Sequence, residues 1–313
     1  MKVRAITHLP RASPRGARTA PKGTAGAAES DGGVVSWRRE VVETPRGDFE
    51  VFRRGSGPPL AVTHLYSVYN ASGDRFAAPF VPFREVFLVN LRGAGASSWS
   101  GTPSELSMAT AVDDLEAIRT ALGFISWDFA GHSTGGMLGL CYAVTAQAGL
   151  GRLVVVGAAA SRWYNQSPEC IYHPRHPEFG HMQDLIERLK TAGLSRGERA
   201  RLAAERTALS LRHPERYQSY FGGGVTKEMA VRRLEYFSTV DYAAFDLRTA
   251  LPGIGIPTLI LVGRHDVQCP TWCSQEIHRL VPRSRLVIFE ESNHYPFLEE
   301  AEAFQAAIAA FLG

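Results

Sequence analysis

The chain has 313 residues, 45% of them hydrophobic, with a formal net charge of +3. That length and apolar content suffice for one large α/β core with an inserted piece, or at most for two domains. The charge excess is too small to mark a nucleic-acid binder, and no apolar run is long enough to span a membrane.

Residues 1–33 are rich in Ala, Gly, Arg, Pro and Ser and hold most of the positive excess (Lys2, Arg4, Arg11, Arg15, Arg18 and Lys22 against Glu29 and Asp31). They lack the hydrophobic stretch of a secretory signal. Their Arg-rich, acid-poor character is faintly that of an organelle transit peptide, but the prolines and glycines point to a disordered tail. Ordered structure is expected from Val34. Residues 34–42 and 49–53 read as two antiparallel strands joined through Pro45-Arg46-Gly47-Asp48. Apolar runs at 60–64, 86–90, 127–130, 153–156, 258–262 and 286–289 are of the kind a parallel sheet buries on both faces. Between them, residues 107–122 carry Met108, Ala111, Val112, Leu115, Ile118 and Leu122 at helical spacing, and 137–148, 271–280 and 299–312 also read as helices. The alternation predicts an α/β fold with a mostly parallel, doubly wound sheet of eight strands, whose functional groups gather at the carboxyl ends of the strands.

Residues 161–247 break that rhythm. They hold no strand-like run, and charged amphipathic segments at 182–192, 195–211 and 227–236 predict an all-helical cap over the strand ends. The expected organisation is a tail (1–33), a first part of the core (34–160), the cap (161–247) and a last part of the core (248–313).

Ser133 lies in Gly131-His132-Ser133-Thr134-Gly135-Gly136, between a strand-like run and a helix. G-x-S-x-G in that setting is a nucleophile elbow: the turn is so tight that the serine is strained and its neighbours must be small. The hydroxyl then stands at a helix N-terminus, where backbone N–H groups favour a developing anion. A serine is a poor nucleophile near neutral pH and needs a base and a group that orients the base. Among the histidines, His294 falls in a loop after the last strand, at the same sheet edge as Ser133. His132 flanks the serine and reads more simply as packing, His278 lies within a helix, and His173, His176, His181 and His213 belong to the cap. Asp266, in Gly263-Arg264-His265-Asp266 at the end of its strand, is the acid. The rival loop after 153–156 reads Gly157-Ala158-Ala159-Ala160 and holds no carboxylate, while Asp113 and Asp114 sit on a helix.

These stretches, Gly131 to Gly135, Pro257-Thr258-Leu259-Ile260-Leu261-Val262-Gly263-Arg264-His265-Asp266 and Ser292-Asn293-His294-Tyr295-Pro296-Phe297-Leu298-Glu299-Glu300, resemble the α/β-hydrolase superfamily over 34–313. The last part and the cap are most similar to the branch containing proline iminopeptidases. The resemblance implies an oxyanion site after the third strand. Where such proteins carry His-Gly, this chain has His64-Leu65-Tyr66-Ser67, so the implied backbone donors are Leu65 and Thr134. Asn90-Leu91-Arg92-Gly93-Ala94-Gly95-Ala96-Ser97 resembles the family's Asp-x-Arg-Gly-x-Gly-x-Ser with asparagine in place of aspartate. It lacks the Lys-Ser/Thr of a P-loop. A serine at the elbow argues against the epoxide-opening and dehalogenating relatives, whose nucleophile is an aspartate.

The expected activity is hydrolysis of a small-molecule ester, with lactone, amide or thioester bonds as variants, through an acyl-enzyme on Ser133, His294 and Asp266. An aminopeptidase would need cap carboxylates, for which Glu169, Glu178, Glu235 and Asp241 are the candidates. Acyl transfer, cyclisation or lyase chemistry on the same residues is a further alternative. Tyr66, His132, Trp163 and Tyr295 are candidate pocket residues, and Gly222-Gly223-Gly224 is a candidate lid hinge. No metal or organic cofactor is implied, and the expected partner is a small-molecule substrate, with neither nucleic acid nor membrane. Cys141, Cys170, Cys269 and Cys273 show no C-x-x-C spacing, which fits a reducing, cytoplasmic setting. Oligomeric state has no signature in the sequence.

Overall fold

A computed structural model describes residues 36–313. The tail expected over 1–33, and the first two residues of the first expected strand, lie outside the described residues. The chain opens with β1 (Arg38–Thr44) and β2 (Gly47–Arg54), an antiparallel hairpin turned at Pro45-Arg46. Next come β3 (Pro59–Val62), the two-residue β4 (Ser67–Val68), β5 (Glu85–Val89), α1 (Met108–Ala121), β6 (Trp127–His132), α2 (Thr134–Ala146) and β7 (Leu150–Val156). An insert follows, with α3 (Phe179–Lys190), α4 (Arg196–Ala208), α5 (Tyr217–Phe221), β8 (Glu228–Met229), α6 (Val231–Tyr236) and α7 (Tyr242–Ala244). The chain then returns through β9 (Thr258–Gly263), α8 (Thr271–Leu280), β10 (Ser284–Phe289), α9 (Pro296–Glu299) and α10 (Ala301–Leu312).

Eight strands form one sheet in the order β1-β2-β5-β3-β6-β7-β9-β10. β1, β2 and β5 pair antiparallel and every later pairing is parallel. Side chains alternate across a strand, so each one feeds two cores. On one face Ala61, Phe87, Phe129, Val155 and Ile260 pack with Leu115 of α1, Leu138 of α2 and Ile277 of α8. On the other face Val62, Leu88, Ala130, Val156 and Leu261 pack with Phe304 and Ile308 of α10 and with Phe76 and Phe80. This two-sided burial is why the central strands read as unbroken apolar runs rather than alternating ones. Ser107 caps α1, its hydroxyl accepting the Thr110 N–H.

The insert departs from expectation in one place. Residues 227–236 do not form a single helix: Glu228 and Met229 pair antiparallel with Val68 and Ser67 of β4, and only Val231–Tyr236 is helical. A two-stranded ribbon thus ties the insert to the loop after β3. Arg75 ties it a second time, giving hydrogen bonds to the Phe221, Gly222, Gly223 and Val225 carbonyls. The triple-glycine run is therefore latched to the core instead of standing free as a hinge. Among the described residues, no helix is long and apolar enough to cross a membrane.

Candidate active site

Ser133 sits between β6 and α2 with φ 56° and ψ −123°, the one non-glycine residue with positive φ among the described residues. A backbone held there stores on the order of 1–3 kcal/mol. Close approach explains the flanking glycines: a Cβ on Gly131 would fall 2.1 Å from the Gly135 carbonyl oxygen, and one on Gly135 would fall 2.4 Å from that of Thr63. Two backbone bonds fix the turn, from Ser133 N–H to the Val156 carbonyl at 2.8 Å and from Met137 N–H to the Ser133 carbonyl at 3.0 Å.

Asp266 and His294, from the loops after β9 and β10, form a buried pair with His294 Nδ1 and Asp266 Oδ2 at 2.9 Å. The carboxylate accepts, so Nδ1 is the donor, and in the neutral imidazole the lone pair is on Nε2. The other carboxylate oxygen accepts the Gln268 and Cys269 backbone N–H groups, both at 2.8 Å, which aims Oδ2 at the imidazole. Asn293 Oδ1 accepts the Val267 N–H, and the His294 N–H donates to the Ser210 carbonyl of the insert.

The elbow meets this pair through its neighbours. Ser133 is bonded to Val156, and the next residue, Gly157, has φ +53° and so little room that a Cβ would lie 3.0 Å from Asp266 Oδ2 and 3.3 Å from His294 Nδ1. His132 reaches from the elbow to the histidine loop, with ring centroids 4.5 Å apart and its Nε2 2.8 Å from the His294 carbonyl oxygen. A carbonyl only accepts, so His132 is the Nε2–H tautomer. The Ser133 hydroxyl and the His294 imidazole are not hydrogen-bonded to each other. Such bonds are often long before substrate binds.

On the opposite side of the serine, Thr134 Oγ1 lies 3.1 Å from His64 Nε2, which joins the start of α2 to the loop after β3. Burial pushes the His64 and His132 imidazoles well below their ordinary pKa, with the charges of Lys227 and His294 acting the same way, so both rings are neutral. Leu65 is fully buried and its carbonyl accepts from Nε of Arg233, on α6 of the insert. Arg233 also donates from Nη1 to the Arg92 carbonyl at 2.9 Å, and burial pulls its pKa down to about 10. The trans peptide opposes its C=O and N–H, so holding the Leu65 carbonyl toward the insert turns the Tyr66 N–H the other way. That N–H has only a long 3.5 Å contact, to His64 Nδ1.

Of the four candidate pocket residues, Tyr66 and Tyr295 stand beside the site, packed edge-on to His64 and His294. His132 instead braces the histidine loop among Phe76, Tyr295 and Phe297. Trp163 is 42% exposed, with the Arg162 guanidinium 4.7 Å above its ring, and is a surface residue. Asparagine at 90 has a reason: its amide donates to Glu50 Oε2 and the Tyr69 carbonyl while its oxygen accepts the Tyr69 N–H, and an aspartate could not donate to a carboxylate. The sequence reading missed Gly157 and Arg233. Arg233 follows Ala230 by three positions and precedes Phe237 by four, and both of those are buried, so an arginine occupied a helical position where an apolar residue belongs.

A family model described as the alpha/beta hydrolase fold matches residues 74–301. The chain belongs to the α/β-hydrolase family. Among curated proteins of this family, it is 28% identical over 228 residues to "AB hydrolase superfamily protein YisY" of Bacillus subtilis, covering 71% of this chain and 79% of that one. It is 27% identical over 250 residues to a proline iminopeptidase of Xanthomonas citri, with 72% and 79% covered. An alpha/beta fold family hydrolase from Bacillus anthracis superposes with a TM-score of 0.86 at 42% identity, over 88% of this chain and 99% of the other. The protein is thus an α/β-hydrolase enzyme with the eight-stranded sheet of that family.

Proposed function

We propose that the protein is a serine hydrolase of small-molecule carboxylic esters, with Ser133 as nucleophile, His294 as base and Asp266 as the group that orients it. The observation that carries this reading is the buried Asp266–His294 hydrogen bond at the same sheet rim as the strained serine of the elbow. His294 Nε2 removes the Ser133 proton as Oγ attacks the ester carbonyl, and then returns it to the leaving alcohol; water, deprotonated by the same nitrogen, releases the acyl group. The oxyanion is received by backbone N–H groups of Thr134 and of the Leu65–Tyr66 stretch, which Arg233 holds in orientation. The insert, residues 161–247, acts as the cap, and the free cysteines fit a cytoplasmic setting.

An aminopeptidase is less well supported. Glu169, Glu178 and Glu235 are exposed, and one carboxylate oxygen of Asp241 accepts the Met108 N–H. The test is labelling with a fluorophosphonate and hydrolysis of 4-nitrophenyl hexanoate. Ser133 takes the label, and Ser133→Ala lowers kcat by roughly four to six powers of ten. A variant that keeps most of its turnover overturns the assignment.

A further inference from the structure

The pairing of β9 with β10 ends at Gly263, short of Asp266, so the loop that carries the acid is held by other means. Gln268 supplies one of them with its backbone: its N–H, together with that of Cys269, meets Asp266 Oδ1 at 2.8 Å. The side chain of the same residue is gripped from the insert at both ends. The Tyr172 hydroxyl donates to Gln268 Oε1 at 2.9 Å, and Gln268 Nε2 donates to Ser210 Oγ at 2.9 Å. The main chain is gripped as well, since the Gln268 carbonyl accepts the Cys170 thiol at 3.3 Å and the Val267 carbonyl accepts the Ile171 N–H at 2.7 Å.

Ser210 also acts on the other member of the pair, its carbonyl accepting the His294 N–H at 3.2 Å. A single chain of bonds therefore runs from Tyr172 through the Gln268 amide to Ser210 and ends on Asp266 and on His294 alike. Cys170, Ile171 and Ser210 are fully buried, and in such surroundings a network whose members are all satisfied is stronger and stiffer than its bonds would be in water. An amide bonded through both its oxygen and its nitrogen is fixed in plane and direction. Held at its tip, the Gln268 side chain limits how far its own peptide N–H can swing away from Asp266 Oδ1.

We propose that Gln268 is a positioning residue for the reaction, through which the insert sets the angle at which the Asp266 carboxylate meets the His294 imidazole. The insert is then part of the catalytic assembly as well as its cover: lifting it frees Gln268 and Ser210 together, and the pair loses its alignment. The proposal rests on the serine-hydrolase reading of the same site and adds to it what holds the base in line.

The experiment uses Gln268→Met, which keeps the length of the side chain and loses both amide bonds. Turnover of 4-nitrophenyl hexanoate is counted per site that finally takes a fluorophosphonate, so that a loss of folded protein does not enter. By this measure kcat falls roughly tenfold, because a misplacement of part of an ångström is enough, while KM stays within about twofold. Tyr172→Phe and Ser210→Ala, each removing one bond of the chain, lower kcat roughly two- to fivefold. In the Gln268→Met background Tyr172→Phe has no further effect, since the bond it removes is already gone. An unchanged kcat per labelled site in Gln268→Met overturns this proposal alone, whatever happens to the melting temperature. A Tyr172→Phe effect undiminished in that background overturns it too, because the phenol then acts on the substrate and not through Gln268. If Gln268→Met does not fold, the two substitutions in the insert decide, and wild-type kcat in both overturns the proposal. Failure of wild type to cleave the ester or to take the label overturns the hydrolase reading and this proposal with it.

Discussion

Substituting Gly157 by alanine tests whether the Asp266–His294 pair needs the room that the loop after β7 leaves for it. The cost has two parts. At φ +53° an alanine is held in the left-handed region, which costs about 1–2 kcal/mol. The new Cβ then meets Asp266 Oδ2 at 3.0 Å and His294 Nδ1 and Cε1 at 3.3 and 3.4 Å, so the pair must give by a few tenths of an ångström. It cannot do so freely, because Asp266 Oδ1 is held by two backbone N–H groups and His294 by the Ser210 carbonyl. A misplacement of 1 Å costs about a hundredfold in rate, so a shift of part of that lowers kcat roughly tenfold. Gly123 separates the two parts, since its φ is +78° and a Cβ there meets nothing within 4 Å. Gly123→Ala should lose about 1–2 kcal/mol, roughly 2–8 °C in Tm, and Gly157→Ala at least as much. Only Gly157→Ala should lose turnover of 4-nitrophenyl hexanoate. If it keeps wild-type kcat while its melting temperature falls like that of the control, the packing of Gly157 against the pair has no catalytic consequence and the argument is wrong.

Arg233→Met leaves the Leu65 and Arg92 carbonyls without their donors, at about 1–3 kcal/mol each, partly offset by the desolvation that a buried guanidinium no longer incurs. Urea unfolding should show a net loss of about 2 kcal/mol, accompanied by a lower kcat as the loop proposed to receive the oxyanion loosens; a variant as stable and as active as wild type would refute the anchoring role. His132 gives a pH dependence. Its folded pKa is depressed well below the ordinary value, so the stability from its neutral, buried form is complete above about pH 6.5 and is lost as pH falls toward the folded value, because the unfolded chain binds the additional proton. Unfolding free energies measured from about pH 7.5 down to pH 5 should decline, and His132→Gln should flatten that decline by up to about 1.4 kcal/mol per pH unit. An unchanged slope in the variant would show that His132 is not the group responsible.

The core was legible in the sequence because its physics is periodic and local. Strands buried on both faces leave unbroken apolar runs, and a helix over a sheet leaves a stripe such as Met108, Val112, Leu115. The elbow was legible for a stricter reason: at Gly131 and Gly135 backbone lies where a Cβ would be, so the spacing of two glycines around a serine nearly dictates the turn. Asp266 and His294 followed from topology, since both loops leave the same edge of a parallel sheet.

The attachments between insert and core have a different physical basis. Arg233 binds the carbonyls of Leu65 and Arg92, and Arg75 binds four carbonyls around the glycine run, while β8 joins β4 by main-chain pairing of two exposed residues. Every residue offers a backbone acceptor, so a cation that seeks one leaves no complementary residue type in the sequence to mark its partner. A two-residue strand is likewise too short to show a period. These joins between insert and core are thus the contacts of this fold least encoded by residue pattern, because one side of each is main chain that any sequence supplies.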